Sequence, residues 1–96
     1  MEFKQLKAEL EIIFAKITSE LDNNNVPDIV TLQEFVRLAR IMPMLADDSW
    51  IGESEDFSHL ATQLLQSARN KDFRTAILLA DALNDAQLFC HKSFRN

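Results

Sequence analysis

The sequence predicts an all-α protein, an up-down-up-down four-helix bundle, on three observations. Four segments carry apolar residues at the three- and four-residue spacing of a single helix face. Gly occurs once and Pro twice in 96 residues, so few positions interrupt a helix. No stretch alternates apolar and polar residues with period two, as a half-buried strand does. The connections between the segments are mostly short, which makes consecutive helices antiparallel neighbours.

The first helix is expected from about Glu2 to Leu21, with Phe3, Leu6, Leu10, Ile13, Phe14, Ile17 and Leu21 in one stripe. Glu2, Lys4, Lys7, Glu9, Glu11 and Lys16 fill the other face, and Ile12 stands alone opposite the stripe. The polar run Asp22 to Asn25, followed by Pro27, stops it. Thr31 with Glu34 three residues later reads as a capping box and starts a second helix at about Leu32. An earlier start, with Pro27 in the first turn, half-buries Val26, Ile29 and Val30. Leu32, Phe35, Val36, Ala39 and Met42 form its stripe, and Pro43 kinks or ends it.

Residues 46–56 read as the one real loop, holding the only Gly, the only Trp and five acidic side chains. Trp50 and Ile51 are expected to fold over one end of the bundle. A third helix follows from about Glu55 to Arg69, with Phe57, Leu60, Ala61, Leu64, Leu65 and Ala68 inward. Asn70-Lys71-Asp72 forms a short turn in which Asp72 caps the last helix. That last stretch, Lys71 to Asn96, contains no Gly or Pro and is rich in Ala and Leu, so one long helix is expected, with Phe73, Ala76, Ile77, Ala80, Leu83, Cys90 and Phe94 in its apolar stripe.

The whole chain makes a single domain, residues 1–96, large enough for a modest core without disulfide or metal support. A net charge of −5 disfavours nucleic acid, whose phosphates need a basic face, and disfavours an anionic membrane surface. One cysteine cannot form an internal disulfide, which fits a reducing compartment. The N-terminal residues mix Glu and Lys through their apolar positions, unlike a signal peptide, and no apolar run reaches membrane-spanning length. The expected location is therefore cytoplasmic.

Several residue groups carry candidate chemistry. Cys90 and His91 sit side by side near the end of the last helix. His91 lies in line with Phe73, Ile77, Asn84 and Leu88 at one border of the apolar stripe, where one ring nitrogen can ligate a metal. Cys90 lies at the opposite border, near Leu83, where a buried thiol acts as a small hydrophobe. His59 lies nearly opposite the third helix's apolar stripe, and a histidine exposed on a four-helix bundle allows phosphotransfer. Such domains usually carry a Lys and a Gly just after the histidine, whereas this chain reads His59-Leu60-Ala61-Thr62-Gln63. The acids Asp47, Asp48, Glu53, Glu55 and Asp56 match no calcium-loop spacing and read as a solvated loop favouring the following helix N-terminus. Leu78, Ala82 and Phe89 point away from the fourth helix's main stripe, either as a partner surface or as part of a wide buried arc. No Gly-rich phosphate loop, paired-histidine metal motif or nucleophile with a recognisable base occurs, so no enzyme is expected.

The ending Phe89-Cys90-His91-Lys92-Ser93-Phe94-Arg95 resembles the haem-attachment end of cytochrome c′, where a CxxCH motif is followed by an aromatic and a basic residue. It is also similar to the histidine-bearing last helix of the soluble b-type four-helix cytochromes. Phe57-Ser58-His59, the Asn70-Lys71-Asp72 turn and the Ala-rich last helix match that layout. Gln87 stands where the first haem-linking cysteine belongs, so two-cysteine thioether attachment is excluded. The chain looks closer to a small bacterial family of domains named for this truncated Cys-His ending, XXXCH. That resemblance implies a bundle of cytochrome ancestry without covalent haem. The residues implied for a cofactor are His91 and Cys90, with noncovalent haem or metal bound through His91 as the alternative to no cofactor. Where b-type relatives place a methionine ligand, this chain has Leu6 or Lys7, and Met1 is too near the terminus. The expected role is a small non-enzymatic interaction domain, with a protein partner or a weak homodimer formed through Leu78, Ala82 and Phe89.

Overall fold

The computed structural model describes residues 2–93, with side chains described through Ala86. The helices are α1 (Phe3–Asp22), α2 (Ile29–Leu45), α3 (Ile51–Arg69) and α4 (Phe73–Ser93), and no strand occurs among the described residues. Each helix packs chiefly on its neighbours in sequence, α1 on α2, α2 on α3 and α3 on α4. The chain is the four-helix bundle that its periodicity predicts. Its long dimension of 36 Å matches helices of this length plus their connections. None of the described helices is long and apolar enough to cross a membrane.

The core follows from the apolar stripes. Leu6, Leu10, Phe14, Ile17 and Leu21 are buried along α1 at spacings of three and four, as a helix with one wetted side must bury them. Leu32, Phe35, Val36, Leu38, Ala39 and Met42 do the same on α2, and Phe57, Ala61, Leu64, Leu65 and Ala68 on α3. From α4 come Ala76, Ala80 and Leu83, all buried. Phe35, fully buried, is the centre of an aromatic chain. It stacks on Phe14 with ring centroids 5.7 Å apart and meets Phe57 edge-on at 5.8 Å, tying α1, α2 and α3 together. Among the described residues, the two buried hydroxyls are satisfied within α3, Ser54 donating to the Ile51 carbonyl at 2.7 Å and Ser67 to that of Leu64 at 2.8 Å.

The connections are where sequence and structure part. Two helices end in Schellman motifs built on residues other than glycine. After α1, Asn24 takes φ 62° and its N–H donates to the Leu21 carbonyl, while Asn25 donates to that of Glu20. After α3, Lys71 takes φ 56°, its N–H donates to the Ala68 carbonyl at 3.0 Å, and Asp72 donates to that of Ser67 at 2.9 Å. Asp72 then caps α4 as the sequence predicts, accepting from the Thr75 N–H at 3.1 Å and its hydroxyl at 2.6 Å. Both contacts favour the carboxylate, so its pKa is lowered, the Thr75 hydroxyl being the largest cause.

The second helix starts at Ile29 and not at Leu32. Pro27 is buried in the connection before it, and the Asp28 N–H donates to the Glu20 carboxylate at 3.0 Å. That places negative charge over the N-terminus of α2, where the exposed amides and helix dipole favour it. The expected capping box does not form. Thr31 lies inside the first turn and donates to the Asp28 carboxylate, and Glu34 is drawn instead to Arg37. Val26 and Ile29 are half-buried as expected, but Val30 is 70 % exposed. Pro43 ends the helix only two residues on, at Leu45: it forgoes one amide hydrogen bond where little helix remains.

The expected long loop over 46–56 shrinks to 46–50, because α3 begins at Ile51. The turn is organised by Asp47, whose carboxylate accepts from the Ser49 N–H at 2.9 Å and from its hydroxyl, and is lowered in pKa mainly by that hydroxyl. The acids Glu53, Glu55 and Asp56 fall in the opening turns of α3, where negative charge suits the helix N-terminus. Trp50 does fold over one end of the bundle, edge-on to Phe3 at 4.9 Å. Ile51 does not, and stays exposed.

Candidate functional site

Three features on the bundle surface carry candidate chemistry. The first is the outer side of α4. Leu78 is 63 % exposed, as its position opposite the stripe predicts, and Ala82 is half-buried. Phe89, the third member of the predicted strip, has a side chain outside the described residues. On α1, Ile12 is 66 % exposed, also as predicted. A seam between α1 and α4, lined by Thr18, Leu21, Ile77 and Ala80 with Asp22 and Asp81, leaves a depression of about 370 Å³.

The second feature is the pair of histidines. His59 is exposed on α3, in a shallow depression of about 350 Å³ with Arg40, Ser58, Thr62, Gln63 and Gln66. The residues lining that depression include one guanidinium, that of Arg40, and no carboxylate. Helix α4 runs through Cys90 and His91, whose side chains lie outside the described residues. Among the described residues, no three His, Cys, Asp or Glu side chains gather around a common point.

The third feature is a groove of about 660 Å³ between α2 and α3, which sequence reasoning missed. Val36 and Leu65 are nearly buried within it, while Ile41 and Met44 add apolar surface on the α2 side. Arg37, Arg40 and Arg69 line it with Gln33, Thr62 and Gln66, and no acidic residue does. Arg37 makes a two-pronged pair with Glu34 one turn back; its guanidinium lowers the Glu34 pKa, and Glu34 raises that of Arg37. Because both side chains are largely solvated, such a pair adds little to stability. In the sequence these arginines stand on two separate helical segments. The available signal was that positions 33, 37, 40 and 44 of one helix carry no acid. It gains meaning only once α3 is known to lie alongside.

No protein-family model matches the chain, and no curated protein and no solved structure matches it either.

Proposed function

We propose that this chain is a small, non-enzymatic helical interaction domain, which binds another protein or a second copy of itself through the outer side of α4. The observation that carries this reading is the exposure of Leu78 on a helix whose opposite side supplies the core residues Ala76, Ala80 and Leu83. A large apolar side chain held in water by a rigid helix gains about 1.5–3 kcal/mol when fully covered. One such residue does not overcome the cost of association, about 4–15 kcal/mol, so a tight obligate dimer is not expected. The ancestry that fits this reading is the cytochrome-like bundle with the truncated Cys-His ending, used as a scaffold and located in the cytoplasm.

Sedimentation velocity over a range of protein concentrations tests the homotypic form. The wild type is expected to show weak, concentration-dependent association, and Leu78→Glu to abolish it with helicity unchanged. A Leu78→Glu chain that still associates, or that unfolds, overturns the assignment of this face.

A further inference from the structure

The groove between α2 and α3 is unusual in its charge. The chain has 15 acidic and 10 basic side chains, yet the groove gathers three arginines and no carboxylate. Arg37 is engaged by Glu34, whereas Arg40 and Arg69 have no ion pair among the described residues. We propose that this groove docks an acidic amphipathic helix of a partner protein. Its carboxylates meet Arg40 and Arg69, and its apolar stripe lies over Val36, Leu65 and Met44. This goes beyond the reading above, adding to the α4 face a second binding face, with a partner of stated chemistry, that stands or falls independently of Leu78.

Shape supports a rod-like occupant. The lining residues of α2 run from Gln33 to Met44, three helical turns or about 16 Å, and those of α3 run two turns, from Thr62 to Arg69. A trough between two parallel ridges is the geometry in which a third helix seats its apolar anchors, spaced three and four residues apart. The apolar content is graded along it: Val36 and Leu65 form a nearly buried floor, and Met44 stands 75 % exposed at one end. Methionine, unbranched and polarizable, adapts its shape to an incoming side chain.

Charge decides among the occupants. A second copy docking by the same face would set the arginines of one groove against those of the other, since a two-fold interface is self-complementary, and the like charges would oppose it. A nucleic acid or an anionic bilayer is an extended anion that reaches well beyond these arginines and so meets the rest of a surface carrying a net charge of −5, which repels it. A short acidic helix engages the local patch alone, and each of its carboxylates can accept two N–H donors from one guanidinium.

The test is a nuclear magnetic resonance titration of the isotope-labelled full chain with two synthetic helical peptides. Both carry the same leucine stripe, flanked in one by glutamates and in the other by lysines. The glutamate peptide is expected to shift the amides of residues 33–42, 44 and 62–69, and the lysine peptide to leave them unmoved. Arg40→Glu with Arg69→Glu should weaken the glutamate peptide by about tenfold or more and admit the lysine peptide. If that variant loses helicity, the neutral pair Arg40→Gln with Arg69→Gln replaces it and must still weaken the glutamate peptide. Equal responses to both peptides, shifts confined to other surfaces, or unchanged affinity in a folded arginine variant each overturn the proposal. So does a response of the same amides to vesicles of anionic phospholipid without one to the glutamate peptide, which assigns the groove to membranes. Leu78→Glu is expected to leave the titration unchanged, so loss of self-association and loss of peptide binding report on the two faces separately.

Discussion

Lys71 holds the turn between α3 and α4 in a left-handed conformation that L-amino acids adopt at a cost, and the size of that cost is measurable. At φ 56°, the Cβ of any L-residue crowds the following carbonyl by about 1–2 kcal/mol, and glycine escapes this. Glycine in turn loses about 0.5–1 kcal/mol more backbone entropy on folding than alanine. Lys71 is exposed, so its truncation removes little packing. What it does remove is a positive charge near the C-terminus of α3, and this loss is common to Lys71→Gly and Lys71→Ala. The informative quantity is therefore their difference. Lys71→Gly should be more stable than Lys71→Ala by up to about 1.5 kcal/mol, with a central value of about 0.75 kcal/mol, equivalent to about 3–6 °C in Tm for a domain of this size. At Gln63, exposed in the interior of α3, the order should reverse, with Gln63→Gly about 1 kcal/mol less stable than Gln63→Ala. Urea unfolding followed by circular dichroism measures all four variants. If alanine equals or exceeds glycine at position 71, the left-handed residue is not what closes the turn, and the reasoning fails.

Phe35→Ala opens a void between three helices and should cost about 3–5 kcal/mol, read as a fall in the urea midpoint; a loss under about 1 kcal/mol would show that Phe35 is not the centre of the core. The Asp72 carboxyl has a lowered pKa in the folded state, so the unfolded chain binds its proton first and the cap's contribution is complete above the ordinary value of 3.8. It fades as pH falls through the lower folded value. Asp72→Asn keeps a capping oxygen without the titration, so its stability should decline less steeply as pH falls below the ordinary value of 3.8, in urea melts taken at stepped pH. Gly52 lies in the first turn of α3 with open space where a Cβ would stand, so Gly52→Ala should raise Tm through a gain of up to about 1 kcal/mol. Because Gln87 supplies no thiol, the intact mass of the purified protein should carry no haem increment that survives denaturation.

Periodicity alone determined the helices and their buried faces. Leu6 to Leu21 on α1, Leu32, Phe35, Val36, Ala39 and Met42 on α2 and Phe57 to Ala68 on α3 are read off at 100° per residue, because a helix half in water leaves no other place for them. Leu38, off that stripe, is buried as well because α2 lies between α1 and α3. The cap at Asp72 and the exposure of Ile12, His59 and Leu78 were legible for the same local reason. Helix starts were not. Ile29 opens α2 because Glu20, nine residues earlier, delivers its carboxylate to the Asp28 amide, and Ile51 opens α3 where Trp50 packs on Phe3 from the other end of the chain. Those partners meet only in the folded bundle, so local capping patterns such as Thr31 and Glu34 pointed elsewhere. The arginine groove is tertiary for the same reason. Arg40 and Arg69 are separate solvated charges on the chain and become one patch only when α2 and α3 lie side by side.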